Sequence, residues 1–84
     1  MPATRIRTRT AAGFARLIAR GIRANFAPEN QDDQMSRMAE LFADMSMSRA
    51  ADAEFSQSDA ERRQANCDVH WLDAIADELE MLAT

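Results

Sequence analysis

The sequence predicts an all-α protein: a small bundle of three to four helices with an extended Arg-rich N-terminal arm. Apolar residues recur at helical spacing in three stretches, and the longest of them, 58–83, contains neither Gly nor Pro. Only residues 3–9 alternate as a strand would, and no second strand-like run is present to take up their backbone hydrogen bonds. We therefore expect an extended basic arm over 1–10 and a single helical domain over 11–84.

The last stretch predicts a helix over 59–83. Ser58 and Glu61 match the S-x-x-E capping box, in which both side chains satisfy backbone N–H groups at the start of a helix. This is the most strongly periodic segment of the chain. Its apolar residues recur at helical spacing: Ala65, Val69, Leu72, Ile75, Ala76, Leu79, Leu82 and Ala83.

The first stretch predicts a helix over 11–26 with Thr10 as its N-cap. It ends at Ala27-Pro28, because a residue before proline disfavours the helical conformation. One face of this helix is apolar, and it consists of Phe14, Leu17, Ile18, Ile22 and Phe26.

The middle stretch predicts a helix over 31–45, with Asn30 as its N-cap. Asp32 and Asp33 in the first turn suit the positive end of the helix dipole. The run Ser46-Met47-Ser48 interrupts the apolar pattern, so residues 49–55 are either a short fourth helix or a continuation of the second. The apolar face of the middle helix consists of Met35, Met38, Leu41, Phe42 and Met45.

The hydrophobic core of this domain is expected to be marginal. Leu, Ile, Val and Phe together number 14 of 84 residues, whereas Ala alone numbers 17. A single Cys allows no disulfide within the chain. Stability from a partner protein or from a second copy in a homodimer is therefore an open alternative. The predicted core residues are Phe14, Leu17, Ile18, Ile22, Met38, Leu41, Phe42, Phe55, Leu72, Ile75 and Leu79.

Charge is separated along the chain. Residues 1–23 carry six Arg and no acid, and residues 24–84 carry fourteen acids and four Arg, which gives +6 and −10 and sums to the net charge of −4. Such asymmetry predicts a basic arm on an acidic body. No apolar run is long enough to cross a membrane. A lone Cys with six Met fits a reducing compartment, so we expect a cytoplasmic protein without membrane contact.

No assembled catalytic or metal-binding set is present in the sequence. Cys67 and His70 lie three residues apart, which is one helical turn, but a structural zinc needs four ligands and the chain has one Cys and one His. A Cys–His nucleophile would also need an orienting group and an oxyanion hole. We expect no enzymatic activity, no metal and no cofactor.

The last helix is expected to carry a row of acidic side chains, which we call the acidic ridge: Asp73, Asp77, Glu78 and Glu80. Three of these follow i, i+4, i+7 spacing and so lie in one row. The ridge is a solvated helix face, a partner for the basic row of the first helix, or a surface offered to a basic groove on another protein. The alternative binding surface is the basic arm and stripe, which consists of Arg5, Arg7, Arg9, Arg16, Arg20 and Arg23.

Size, acidity and the lack of a catalytic set favour a small non-enzymatic interaction protein. In size and acidity, though in no motif, the chain resembles small phage-borne proteins such as anti-CRISPR inhibitors. That resemblance implies an inhibitor that blocks a nucleic-acid-processing complex by presenting acidic side chains to a basic groove. The first alternative is an accessory subunit of a cytoplasmic assembly, docked through its Arg-rich N-terminus. The second is a DNA-binding regulator of the antitoxin type.

Overall fold

The protein is a three-helix bundle. The structure, a computed structural model, describes residues 10–83, and these contain three helices and no strand. Helix α1 spans Ala11–Asn25, α2 spans Pro28–Phe55 and α3 spans Asp59–Leu82. The expected all-α bundle is therefore confirmed. The extended arm falls almost entirely on residues 1–9, which lie outside the described residues.

Helix α1 begins where the sequence predicts. Thr10 is extended, and its side-chain oxygen accepts a hydrogen bond from the Gly13 N–H at 3.0 Å, as an N-cap does. The helix ends at Asn25, and the extended residue Phe26 donates its N–H to the Ile22 carbonyl. Gln31 donates a hydrogen bond to the Phe26 carbonyl at 3.0 Å, which ties this corner to the next helix.

Helix α2 corrects one prediction and decides between two alternatives. It begins at Pro28 rather than after Asn30, because a proline at the first helical position has no N–H to leave unsatisfied and its φ already suits the helix. It then runs without a break through Ser46 to Phe55, so residues 49–55 continue this helix rather than forming a helix of their own. Ser46 is buried and its hydroxyl donates to the Val69 carbonyl of α3 at 3.4 Å, which gives this polar residue a partner inside the bundle.

Ser58 caps the start of helix α3 as predicted, but only half of the capping box is present. The Ser58 side chain accepts from the Glu61 N–H at 3.4 Å. The Ser58 N–H donates to the Ser56 hydroxyl, which in turn lies 3.3 Å from a Glu61 carboxylate oxygen. Glu61 therefore acts on the cap through Ser56 rather than directly.

The core is built largely from alanine. Six buried alanines allow the helix backbones to approach closely: Ala15, Ala19, Ala39, Ala53, Ala65 and Ala76. The larger buried apolar residues are Ile22, Met35, Phe42, Ile75 and Leu79, and four predicted core residues, Phe14, Ile18, Met38 and Leu72, are partly buried beside them. The prediction is wrong for three residues that are exposed: Leu17 at 44%, Leu41 at 50% and Phe55 at 80%.

Helix α1 covers only half of the groove between α2 and α3. Its Phe14 ring lies 6.2 Å from Phe42 of α2 and 5.1 Å from Trp71 of α3, measured between centroids. Its other end packs with Met35 and Leu82, at the start of α2 and the end of α3. The contacts of α1 therefore fall on the N-terminal half of α2 and the C-terminal half of α3. The remaining half of the hairpin is a two-helix layer.

Candidate interaction surfaces

Three members of the acidic ridge point into solvent. Asp73, Asp77 and Glu80 are exposed on α3, and none of them forms an ion pair with any residue between 10 and 83. Buried Ile75 and Leu79 hold the opposite face of the same turns against α1 and α2. Because the helix is anchored through that face, the three carboxylates have fixed backbone positions, with a rise of about 6 Å from Asp73 to Asp77.

The fourth member of the ridge has a different environment. Glu78 is half-buried, and one of its carboxylate oxygens lies 3.8 Å from Arg16 Nε of α1. Arg20 and Arg23 are exposed and form no ion pair within residues 10–83. The interpretation of the acidic ridge as a partner for the basic row of α1 is therefore wrong, apart from the contact between Arg16 and Glu78. Arg5, Arg7 and Arg9 lie outside the described residues.

A charge network that the sequence analysis did not predict joins α2 to α3. Arg49 donates from Nε and Nη2 to one Asp68 oxygen, at 3.1 and 2.8 Å, and from Nη1 to Asp52 at 3.0 Å. Gln64 donates to the other Asp68 oxygen at 3.0 Å. The hydrogen bonds from Arg49 and, to a smaller extent, the hydrogen bond from Gln64 hold the pKa of Asp68 below its ordinary value. The same carboxylates raise the pKa of Arg49.

Next to this network lies an open cleft of about 540 Å³ between α2 and α3. Its apolar wall is made by Met45, Trp71 and Leu72. Asp44 at the rim is exposed and forms no ion pair with residues 10–83. Apolar side chains exposed side by side in a concave surface are typical of binding sites.

A second cleft, of about 350 Å³, continues the first towards the α2–α3 turn. Arg49 lines both clefts, so the two form one groove, which we call the open groove. Phe55 lies at its far end, and Asp52 and Glu61 add two carboxylates. The sequence pattern did not predict this groove, because its walls come from two different helices, whereas periodicity reports one helix at a time.

Cys67 and His70 do not form a site together with other ligands. Both side chains are exposed on α3. Within residues 10–83, no three His, Cys, Asp or Glu side chains converge as metal ligands would. No helix in this part of the chain combines the length and the apolarity that crossing a bilayer requires.

Comparison of the chain with known protein families, with curated proteins and with solved structures finds no match. The chemistry of its surfaces is therefore the basis for assigning a function.

Proposed function

We propose that this protein is a small non-enzymatic binding protein that occupies a basic surface of a protein partner with its acidic ridge. The observation that carries the proposal is the state of Asp73, Asp77 and Glu80. They are exposed, close together on one helix and without ion pairs among residues 10–83. Their charge is therefore available to a partner.

The anchoring of α3 supports the same proposal. A charged surface on a mobile segment loses conformational freedom when it binds, and that loss weakens the complex. The ridge lies on a helix whose inner face carries two of the most deeply buried side chains of the protein, Ile75 and Leu79. Its backbone is ordered before any partner arrives, so the ordering cost falls mainly on the side chains themselves.

A nucleic-acid-processing complex is the partner class that we favour. Such complexes hold a polyanion in a basic groove, and fixed carboxylates compete with phosphates for the same Arg and Lys side chains. Binding would then block the complex in the reducing cytoplasm, in the manner of an anti-CRISPR inhibitor. The alternative is an accessory subunit docked through basic residues. It is favoured by Arg20 and Arg23, which are exposed and form no ion pair among residues 10–83.

The test is capture of partners from the cells that contain the protein, with two charge-reversed variants. The acidic variant carries Asp73→Arg, Asp77→Arg and Glu80→Arg, and the basic variant carries Arg20→Glu and Arg23→Glu. All five positions are exposed, so we expect both variants to keep the helical circular dichroism spectrum of the wild type. We expect the acidic variant to lose the partner and the basic variant to retain it.

The association rate supplies a second measurement. Complementary charges speed encounter more than they deepen affinity, so the association rate with the captured partner should fall steeply as salt is raised. Capture by the acidic variant but not by the basic variant would show that the working surface is basic, and it would favour the accessory subunit instead.

A further inference from the structure

We propose that the open groove binds an amphipathic helix of another protein, one with an apolar face flanked by Arg or Lys. This is a second surface, distinct from the acidic ridge, and it stands independently of the function proposed above.

The open groove continues the groove that α1 occupies. Met45 lies seven residues after Met38 of α2, which packs against α1, and Asp68 lies seven residues before Ile75 of α3. A separation of seven residues is close to two helical turns, so each pair lies on one face of its helix. The faces that receive α1 over one half of the hairpin are therefore open over the other half.

The length of the groove fits a helix. One end of the same inter-helix space already holds α1, an amphipathic helix whose inward residues include Phe14, Ala15 and Ile18. The part of α2 beyond the α1 contacts runs over residues 43–55, which is about 20 Å at 1.5 Å per residue. About thirteen helical residues fill that length.

The charge of the groove selects a basic occupant. Its lining includes four carboxylates and one guanidinium, which leaves a net charge of about −3. Arg49 already forms ion pairs with two of these carboxylates, Asp52 and Asp68, whereas Asp44 has no ion partner among residues 10–83. An incoming helix with apolar residues against Met45 and Trp71, and with Arg or Lys towards Asp44, matches both features. The remaining carboxylates of the lining are Asp52, Glu61 and Asp68.

Two nearer occupants fit less well. Helix α1 of a second copy is basic and amphipathic, but its Ala15 and Ala19 are buried in its own bundle and would have to leave it. Residues 1–9 of the same chain are too few to fill the open length as a helix. The occupant with the right length and charge is therefore a helix of a different protein.

Photocrosslinking in the cells that contain the protein tests this directly. The full chain carries p-benzoylphenylalanine in place of Met45, inside the groove. The matched control carries it in place of Met47, which is 66% exposed on the far side of α2. Mass spectrometry then identifies the sequence of the peptide joined to each position.

We expect the Met45 position to crosslink to a segment of another protein with helical apolar spacing and a positive net charge, and the Met47 position to give no such product. Three results would overturn the proposal. The first is a crosslink from position 45 to this chain itself, whether to a second copy or to residues 1–9. The second is a crosslink from position 45 to an acidic segment. The third is a crosslinking yield at position 45 that is no greater than the yield at position 47.

A synthetic peptide of the mapped segment then gives the affinity. Trp71 is the single Trp of the protein and lines the groove, so its fluorescence reports binding to the full chain. We expect Asp44→Lys to weaken binding at least tenfold and the triple acidic-ridge variant to leave it unchanged. Equal weakening by both variants would mean that the peptide binds by overall charge, and the groove would have no specific role.

Discussion

Replacement of Leu79 by Ala tests whether the junction of the three helices holds the fold together. Leu79 is fully buried, in one cluster with Ala15 of α1, Phe42 of α2 and Ile75 of α3. The substitution removes three carbon atoms, worth about 2.4 kcal/mol of transfer free energy at about 0.8 kcal/mol each. The unfilled cavity adds to this, so we expect a loss of about 3 kcal/mol, within the usual range of about 2–5 kcal/mol for such a change.

That loss is large for a protein of this size. A chain of 84 residues has a free energy of unfolding of about 4–13 kcal/mol. A loss of about 3 kcal/mol lowers the melting temperature by about 12–24 °C in a domain of this length. Urea unfolding followed by circular dichroism measures the change, and the fluorescence of Trp71, whose ring packs against Phe14, reports the same transition.

Leu41→Ala is the matched control. The sequence pattern places Leu41 and Leu79 equally in the core, but Leu41 is half exposed. We expect its replacement to change the free energy of unfolding by under about 1 kcal/mol, because it leaves little or no cavity. A loss of under about 1 kcal/mol for Leu79→Ala, or an equal loss for both variants, would refute the packing described here.

For three further substitutions the structure predicts whether the protein becomes more or less stable. Gly21→Ala should raise the free energy of unfolding by about 0.5–1 kcal/mol in urea unfolding, because a Cβ there meets nothing within 4 Å and helical Gly is unfavourable. Ala19→Leu should lower it by about 1–3 kcal/mol in the same assay, because the site is buried and already filled. The pKa of Asp68 is lower in the folded protein than its ordinary value of 3.8, so the ionised carboxylate stabilises the fold at any pH above that value. This stabilisation is lost as the pH falls from 3.8 through the lower pKa of the folded protein. The wild type should therefore have a higher urea midpoint than Asp68→Asn at pH 7, and this difference should shrink as the pH falls below about 4.

The sequence identified α3 well because its signals are local. A capping Ser, an unbroken helical period and the absence of Gly and Pro all act within a few residues of one another. The sequence left the length of α2 undecided for the opposite reason. Ser46 lowers helix propensity locally, but its hydroxyl reaches a carbonyl of α3 that lies 23 residues away in the chain. Tertiary contacts of this kind override a local preference.

The core was only partly predictable because size was used as a guide to burial. The prediction chose the largest apolar residues, and it is correct for Ile22, Phe42, Ile75 and Leu79. It passed over alanine, which supplies six of the eleven buried apolar residues. Leu17 and Leu41 each follow a buried alanine, Ala15 and Ala39, by two residues, which is about 200° around the helix. Once the alanines face the neighbouring helices, these two larger residues point away from the contact.

The two proposed surfaces lie on different parts of α3 and do not overlap. Asp77 of the ridge follows buried Ile75 by two residues, about 200° around the helix, so it points away from the bundle. Asp68 of the groove precedes Ile75 by seven residues, on the inward side, and lies about 14 Å from Asp77 along the axis. A helix seated in the groove therefore leaves the ridge uncovered. Since the sites share no residue, substitutions at one should act additively with those at the other. Together the two proposals imply a protein that holds two partners at once.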